Sequence, residues 1–339
     1  MKNIRLCEIY DERHIMLFDD YSFSFEEVLD DLSLKSLFSS TGFTDLIQIL
    51  KYDDKTFLLI SLDHFNYCSF ENNFDDFNPL SYVYTKDYNF IKAIKLPNGK
   101  IAINTYDSKI LIYNILSNND IQLQTKIDID LNNVSSKYIN NFPLYLFYVE
   151  KTNELLVRDY EKISFLNLQK YKFEHIIKEE GNYYIWNNTY VNMMGWNSME
   201  NHFCMINDNL IGMAFTRNVI KLIDLKTYEI VKNFIFSHDN ITSLIRPSNF
   251  SNNNFLCCLY NNDCHGGKYY YFSKAELIEY DRKKEDYSEN FDIEFSDKKR
   301  LDYFPISIKL LRDGVILIIS FNENSCAKSK FNLDILKYN

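Results

Sequence analysis

The sequence has little glycine or proline, few tryptophans and no long apolar run. It holds 8 glycines, 5 prolines and 2 tryptophans in 339 residues, whereas average proteins use about 7% glycine and 5% proline. Collagen-like and glycine-rich linker classes are therefore excluded. The most apolar stretches, such as Val315–Ser320, have the length of a strand and not the ~18–20 residues of a membrane-spanning helix. We expect no membrane partner.

Positive charge is also in deficit. The chain has 37 Lys and Arg residues against 47 Asp and Glu residues, a formal net charge of −10. Binding to nucleic acid needs clustered lysine and arginine, so no nucleic-acid partner is expected. The one short basic run, Arg282–Lys284, is flanked by Asp281 and Glu285, which is typical of a solvated turn.

The N-terminal residues lack the features of a secretory signal. Glu8, Asp11 and Glu12 follow the first residues closely, where a signal peptide would have its apolar core. The 7 cysteines are odd in number and scattered along the chain. Reduced thiols in a cytoplasmic protein are the simplest interpretation of that pattern.

The sequence is rich in aromatic residues and in short segments in which apolar and polar residues alternate. The chain has 26 tyrosines and 27 phenylalanines, enough to build a large core. Apolar residues alternate with polar ones over 5 to 8 residues, between turns rich in Asn and Asp, and this is the signature of β-strands. Within residues 90–129 four such segments follow one another, which predicts a four-stranded antiparallel meander.

The four-strand unit repeats along the chain. First strands begin near residues 45, 90, 144, 203, 241 and 306, which predicts six units. In the unit that begins at 241, the third strand is predicted at Ala275–Tyr280, which leaves Asn261–Lys274 as a long loop. The last unit has only three strands, at 306–311, 315–321 and 331–338.

The N-terminal part does not fit the repeat clearly. Asn3–Tyr10 reads as a strand, and pairing it with the incomplete last unit would close a ring and remove two sheet edges. Residues 11–43 form a divergent segment that could hold a seventh unit. Ser24 and Glu27 form a capping-box pattern, and the apolar residues of 24–32 fall on one helical face, so a short helix is predicted there.

Two segments carry a family resemblance. Leu222–Thr227 with Ser237–Leu244, and separately Asp107–Asn114, resemble the WD40 repeat, in which a Trp-Asp pair ends one strand and a Gly-His pair precedes the next blade. Ile223-Asp224 stands at the Trp-Asp position, Ser237-His238 at the Gly-His position and Tyr113-Asn114 at a second Trp-Asp position. The resemblance implies structural roles for four residues: Asp107, Tyr113, Asp224 and His238.

The fold expected from the repeat and the resemblance is all-β. It is a WD40-like β-propeller of four-stranded antiparallel blades that forms a single domain over 1–339, with the repeated blades in 44–339 and the closing strand at 3–10. Six blades are read directly and seven are expected, since seven is the commonest number in the family.

Candidate chemistry is sparse. Cys257, Cys258, Cys264 and His265 carry ligand atoms suited to zinc, but adjacent cysteines on a strand point to opposite faces. We therefore interpret them as ordinary thiols and expect no metal and no cofactor. No nucleophile motif occurs, no catalytic residues can be named, and the chain is not expected to be an enzyme.

An insertion at 181–200 is the main candidate for partner binding. It holds both tryptophans and is predicted to form an extra hairpin. Tryptophan, tyrosine and methionine are enriched at protein interfaces. The alternative is structural, with these aromatic residues capping the end of a blade. The candidate residues are Tyr183, Tyr184, Trp186, Tyr190, Met193 and Trp196.

The function expected from these features is a protein-protein interaction platform or assembly subunit with no catalytic role. Its partners would be proteins, and its compartment the cytoplasm. The alternative is a propeller enzyme or small-ligand binder that uses the central channel.

Overall fold

The structure is a computed structural model of the 339-residue chain. It describes residues 4–19, 21–43, 45–71, 76–117, 119–129, 145–158, 162–178, 203–216, 219–235, 239–245, 255–262, 268–275, 304–322 and 330–337. Within those ranges every regular element is a β-strand, β1 to β26. The chain divides into two compact units, Leu6–Ser198 and Met199–Asn339 with Met1–Arg5.

The unit Leu6–Ser198 holds four sheets, each a four-stranded antiparallel meander. We name them sheets A to D. Sheet A contains β1 (Leu6–Ile9), β2 (His14–Phe18), β3 (Ser22–Val28) and β4 (Leu34–Thr41). Sheet B contains β5 (Leu46–Lys51), β6 (Thr56–Ser61), β7 (His64–Glu71) and β8 (Asp76–Tyr84). Sheet C contains β9 (Phe90–Leu96), β10 (Lys100–Thr105), β11 (Lys109–Ile115) and β12 (Ile121–Asp128). Sheet D contains β13 (Tyr145–Val149), β14 (Glu154–Arg158), β15 (Lys162–Asn167) and β16 (Lys172–Lys178).

The second unit holds three sheets, E to G, also antiparallel. Sheet E contains β17 (Phe203–Asn207), β18 (Leu210–Thr216), β19 (Val219–Asp224) and β20 (Glu229–Ile235). Sheet F contains β21 (Asp239–Ile245), β22 (Phe255–Asn262) and β23 (Lys268–Ala275). Sheet G contains β24 (Phe304–Arg312), β25 (Val315–Asn322) and β26 (Lys330–Lys337). The described residues thus form seven sheets, five of four strands and two of three.

Successive sheets of the unit Leu6–Ser198 pack face to face. The first strand of each sheet contacts the first strand of the next sheet. The contacting pairs are β1 with β5, β5 with β9, and β9 with β13. Three buried apolar clusters fill the spaces between A and B, B and C, and C and D. Sheets B and C are each covered on both faces, so their strands β6, β10 and β11 are buried at nearly every position.

The first strand pairs differently from the prediction. Leu6–Ile9 pairs with His14–Phe18, the next strand along the chain, and forms one edge of sheet A. It is therefore not the closing strand of the last sheet, whose described strands are β24 to β26. The physical reason is a tight local turn, in which the carboxylate of Asp11 accepts hydrogen bonds of 2.8 Å from the backbone N–H groups of Arg13 and His14.

The helix predicted at Ser24–Leu32 is also wrong. Residues 22–28 form strand β3, which pairs with β2 and with β4. Ser24 and Glu26 are only 2% and 3% exposed, so the strand is buried on both faces and shows no clean alternation. The residues 11–43 instead supply three strands of sheet A, the seventh unit that the sequence allowed.

Sheet F shows a third correction. Its third strand is Lys268–Ala275, paired with Phe255–Asn262, whereas the sequence placed it at Ala275–Tyr280. The segment interpreted as a long loop, Asn261–Lys274, therefore holds most of a strand. Residues 276–300 lie outside the described residues.

Asparagine and aspartate occupy left-handed turn positions, as the scarcity of glycine suggested. Positive φ angles occur at four such residues: Asp45, Asn98, Asn119 and Asn153. These side chains tolerate that conformation better than most. Glycine is required at Gly99, where φ is +74° and an added Cβ would lie 3.0 Å from the backbone oxygen of Ile115.

The first turns of sheets A and B are built alike. In sheet B, Tyr52 donates its backbone N–H to the Thr56 oxygen at 2.9 Å, and the Asp53 carboxylate accepts from the N–H groups of Lys55 and Thr56 at 2.8 Å each. Partial burial opposes ionisation of Asp53, but these hydrogen bonds outweigh it and lower its pKa. The same arrangement in sheet A centres on Asp11. Short Asp-centred turns thus replace glycine turns.

Candidate functional site

The structure tests only part of the predicted site. The six residues proposed for partner binding (Tyr183, Tyr184, Trp186, Tyr190, Met193 and Trp196) lie outside the described residues, as do the predicted hairpin at 181–200 and His238. Asp107, Tyr113 and Asp224 are described. Their contacts show whether WD40-like positions have structural roles here.

Asp107 organises the turn between β10 and β11. The buried Thr105 hydroxyl donates to the Asp107 carboxylate, and the Lys109 backbone N–H donates to Thr105 Oγ1 at 3.1 Å. The Lys109 ammonium also pairs with Asp107. These bonds satisfy a buried hydroxyl and fix the hairpin, which is a structural role.

Tyr113 lies in β11 and belongs to the core between sheets B and C. It is 5% exposed, and its ring meets that of Phe65 edge-on at 5.3 Å. Burial, with a smaller contribution from Tyr88, raises the pKa of Tyr113 to about 12. Tyr113 therefore has a packing role in this core.

The raised pKa gives a pH prediction for Tyr113→Phe. The unfolded phenol ionises near pH 10, so the folded state binds its proton more tightly. That stability is fully present below pH ~10 and is lost as the pH rises through about 12. In wild type, the folded state holds up to about one proton more than the unfolded state between these pH values, so the unfolding free energy falls as the pH rises. Tyr113→Phe lacks this proton, and we expect its unfolding free energy to fall less steeply over the same range.

The measurement for Tyr113→Phe is urea unfolding at intervals between pH 8 and 12, followed by circular dichroism. At neutral pH the variant should lie within about 1 kcal/mol of wild type, since the ring is kept. Equal slopes for variant and wild type above pH 10 would contradict the prediction.

Asp224 ends strand β19 and starts the next turn. Its carboxylate accepts from the Lys226 N–H at 2.7 Å, and its backbone oxygen accepts from the Tyr228 N–H at 2.8 Å. Tyr228 has a φ of 54°. Asp224 therefore holds a tight turn.

Metal ligands do not gather in the parts of the chain that the structure describes. No group of three or more His, Cys, Asp or Glu residues there could hold a metal ion. Cys257 and Cys258 sit next to each other on β22, while Cys264 and His265 are outside the described ranges. Among the described residues, no helix is long and apolar enough to cross a membrane.

An exposed aromatic surface lies on sheet B. We call it the β7–β8 patch and define it by Leu62, His64, Tyr82 and Tyr84. Leu62, Tyr82 and Tyr84 are 40%, 58% and 52% exposed. Single apolar residues are common on protein surfaces, whereas adjacent exposed apolar side chains often mark an interaction site.

Strand pairing brings the patch together. His64 is paired with Tyr84, and Asn66 with Tyr82, in the β7–β8 ladder. The His64 ring lies 5.4 Å from the Tyr82 ring, and its Nδ1 is 2.8 Å from a carboxylate oxygen of Asp63. Residues two apart on a strand share a face, so both tyrosines face the same side.

The opposite side of the same hairpin is fixed in the core. Phe65 is fully buried, Tyr67 is 4% exposed, and Val83 packs against the cluster between sheets B and C. The Ser81 hydroxyl donates to the backbone oxygen of Asn119 in sheet C. The two tyrosines are therefore presented by a strand that cannot easily move.

Tyr82 and Tyr84 were not singled out by the sequence analysis. The usable signal was the alternation of tyrosine with Ser81 and Val83 on the last strand of a unit. The last strand is the outermost one of its sheet, so aromatic residues on its uncovered face stay exposed.

Comparison with known proteins identifies the fold. No family model matches the sequence, and no curated protein matches it. The WD40 β-propeller domain of Doa1 covers 98% of this chain and 93% of its own length, with a TM-score of 0.57 and 12% identity. Sqt1 of Saccharomyces cerevisiae covers 100% of this chain and 99% of its own length, with a TM-score of 0.55 and 9% identity. BBS1N, in complex with ARL6DN, covers 100% and 92%, with a TM-score of 0.60 and 9% identity.

The chain therefore has a WD40-like β-propeller fold, which confirms the resemblance drawn from Asp107–Asn114 and Leu222–Leu244. The meandering sheets and the similar structures agree on this class. At 9–12% identity the likeness extends to the fold and not to a particular partner.

Proposed function

We propose that this chain is a non-catalytic protein-interaction platform or assembly subunit that works in the cytoplasm. The β7–β8 patch carries the proposal. Two exposed tyrosine rings lie on a strand whose other face packs in the core, and the exposed Leu62 lies in the turn that precedes β7. Tyrosine is enriched at interface hot spots because it supplies a large, rigid contact area and a hydroxyl group.

Other features support the proposal. The similar BBS1N structure is itself a complex with another protein, ARL6DN. Cys68 is free and buried, which suits a reducing compartment. A net charge of −10 disfavours a nucleic-acid partner.

Quantitative affinity purification tests the proposal. The baits are wild type, Tyr82→Ser/Tyr84→Ser, and Trp186→Ala/Trp196→Ala, each expressed at the same level. A matched control is Leu123→Ser, because Leu123 is 48% exposed on the outer strand of a different sheet. We expect at least one protein recovered with wild type and with the Leu123 variant to be lost with the tyrosine variant.

The baits separate two surfaces. Loss of partners only with the tryptophan variant would assign binding to the 181–200 insertion and not to the β7–β8 patch. Recovery of the same proteins with all four baits would contradict the proposal for both surfaces.

A further inference from the structure

We propose that the β7–β8 patch binds an extended, arginine- or lysine-rich segment of a partner protein. This inference rests on the proposed function and names the chemistry of the partner. Three observations support it: the cations that lie over other tyrosine rings, the charge close to Tyr84, and the spacing of the two exposed rings.

Five other tyrosine rings in the described residues have a cation over them. The cation lies 4.9–5.9 Å from the ring centroid in six pairs: Lys51 on Tyr10, Lys95 on Tyr52, Lys100 on Tyr171, Lys109 and Lys126 on Tyr88, and Arg158 on Tyr145. Such contacts are attractive because the ring face is electronegative. Within the described residues, no lysine or arginine covers the ring of Tyr82 or Tyr84, although both rings are more than half exposed.

The charge next to Tyr84 is slightly negative, with Asp63 and Asp87 against Lys86. The two acidic residues lie close to Tyr84, because the Thr85 N–H donates to the Asp63 backbone oxygen at 2.9 Å and the Asp87 N–H donates to Thr85 Oγ1 at 3.1 Å. An incoming cation would therefore meet both a ring face and nearby carboxylates.

The spacing of the rings indicates an extended partner. Tyr82 and Tyr84 are two residues apart on β8, so their positions differ by about 7 Å along the strand. Alternate side chains of an extended peptide have the same spacing. Cationic residues at alternate positions of one segment can thus reach both rings at once.

Fluorescence anisotropy with a defined peptide tests this inference. The probe is a fluorescein-labelled peptide in which arginine alternates with serine, used at about 0.15 M salt so that long-range attraction is largely screened. The comparison peptides replace every arginine with citrulline, which is uncharged, or with glutamate. We expect the arginine peptide to bind wild type at least about 10-fold more tightly than either.

Protein variants locate the binding on the patch. Tyr82→Ala/Tyr84→Ala should weaken the arginine peptide about 5- to 30-fold, the sum of two exposed cation–π contacts. Tyr82→Phe/Tyr84→Phe should stay within about 2-fold, because the ring faces remain. Leu123→Ala/Ile176→Ala removes exposed apolar side chains on other outer strands and should have no effect.

Several results would overturn the inference. An unchanged affinity in the alanine double variant would show that the peptide binds the acidic surface diffusely. Equal binding of the citrulline peptide would remove the need for cations, and tyrosine-dependent dimers in sedimentation would identify a second copy as the occupant. If the purification baits lose partners with the tyrosine variant while the arginine peptide fails, this inference is wrong and the proposed function stands. If no partner depends on Tyr82 and Tyr84, the proposed function fails at this surface whatever the peptide does.

Discussion

Replacing Phe57 with alanine should lower the free energy of unfolding by about 3–5 kcal/mol. The Phe57 ring is fully buried and stacks on Phe70 at 4.8 Å and on Phe23 at 5.5 Å. Removing it deletes a large apolar surface and leaves a cavity that the surrounding rigid strands cannot close. Chemical denaturation followed by circular dichroism gives the value directly.

A matched control separates burial from aromatic character. Tyr82→Ala removes a ring from the same sheet, but that ring is 58% exposed, so the change should stay within about 0.5 kcal/mol. A loss below about 1 kcal/mol for Phe57→Ala would mean that the space between sheets A and B is not packed as described.

A double-mutant cycle tests the contact across the two sheets. Phe23 lies in sheet A and Phe57 in sheet B, with their rings 15° from parallel. Combining Phe23→Leu with Phe57→Leu should reveal a coupling of about 0.5–1.5 kcal/mol, the value typical of aromatic pairs. Additive effects would show that each ring packs only within its own sheet.

Strands could be predicted from the sequence where the alternation was clean and the turns were marked. In sheet C the prediction of four antiparallel strands within residues 90–129 is confirmed, because β9 to β12 run from Phe90 to Asp128. Asn98 and Gly99 both have positive φ angles, which is why that turn could be recognised from its sequence.

The helix predicted at Ser24–Leu32 was wrong because strand pairing and burial decide the structure there, and not the local pattern. Strand β3 was predicted as a helix because Ser24 and Glu27 mimic a capping box. In the structure Glu27 instead pairs with Lys35 across the β3–β4 hairpin, at 3.4 Å. A strand buried on both faces loses its period of two, so a local pattern could not separate the two structures.

The candidate site was less predictable than the fold. The composition drew attention to Trp186 and Trp196, whereas the described surface that stands out is formed by Tyr82 and Tyr84. Exposure depends on which strand is outermost and which face is covered. The sequence shows the alternation, but only the assembled sheets show that one face of β8 is left open.

The second large effect is expected at Gln48, which joins two sheets through its side chain. Its Nε2 donates to the Ala93 oxygen at 2.9 Å, and its Oε1 accepts from the Ala93 N–H at 2.7 Å. A bulge at Ile47 in β5 accompanies this arrangement, and bulges commonly redirect side chains. Gln48 therefore continues the backbone hydrogen bonding from sheet B to sheet C.

Gln48→Met should cost about 2–4 kcal/mol of unfolding free energy. Methionine keeps the length and volume of the side chain, but it leaves the N–H and C=O of Ala93 without these partners in a fully buried position, and each unsatisfied group costs about 1–3 kcal/mol. Gln124→Met is the matched control, because Gln124 is exposed on β12 and the change should be nearly neutral. Similar values for the two variants would show that the Gln48 amide does not join the sheets.

Gln48→Glu distinguishes lost hydrogen bonds from lost packing. Its carboxylate can still accept from the Ala93 N–H, but it must be protonated to donate to the Ala93 oxygen. The fold therefore raises the pKa of the introduced carboxyl above its unfolded value of about 4.3. The variant should approach wild type below pH ~4, when both are compared at the same pH, and fall behind as the pH rises. A deficit relative to wild type that stays constant between pH 4 and 7 would assign the loss to packing and not to the Gln48–Ala93 hydrogen bonds.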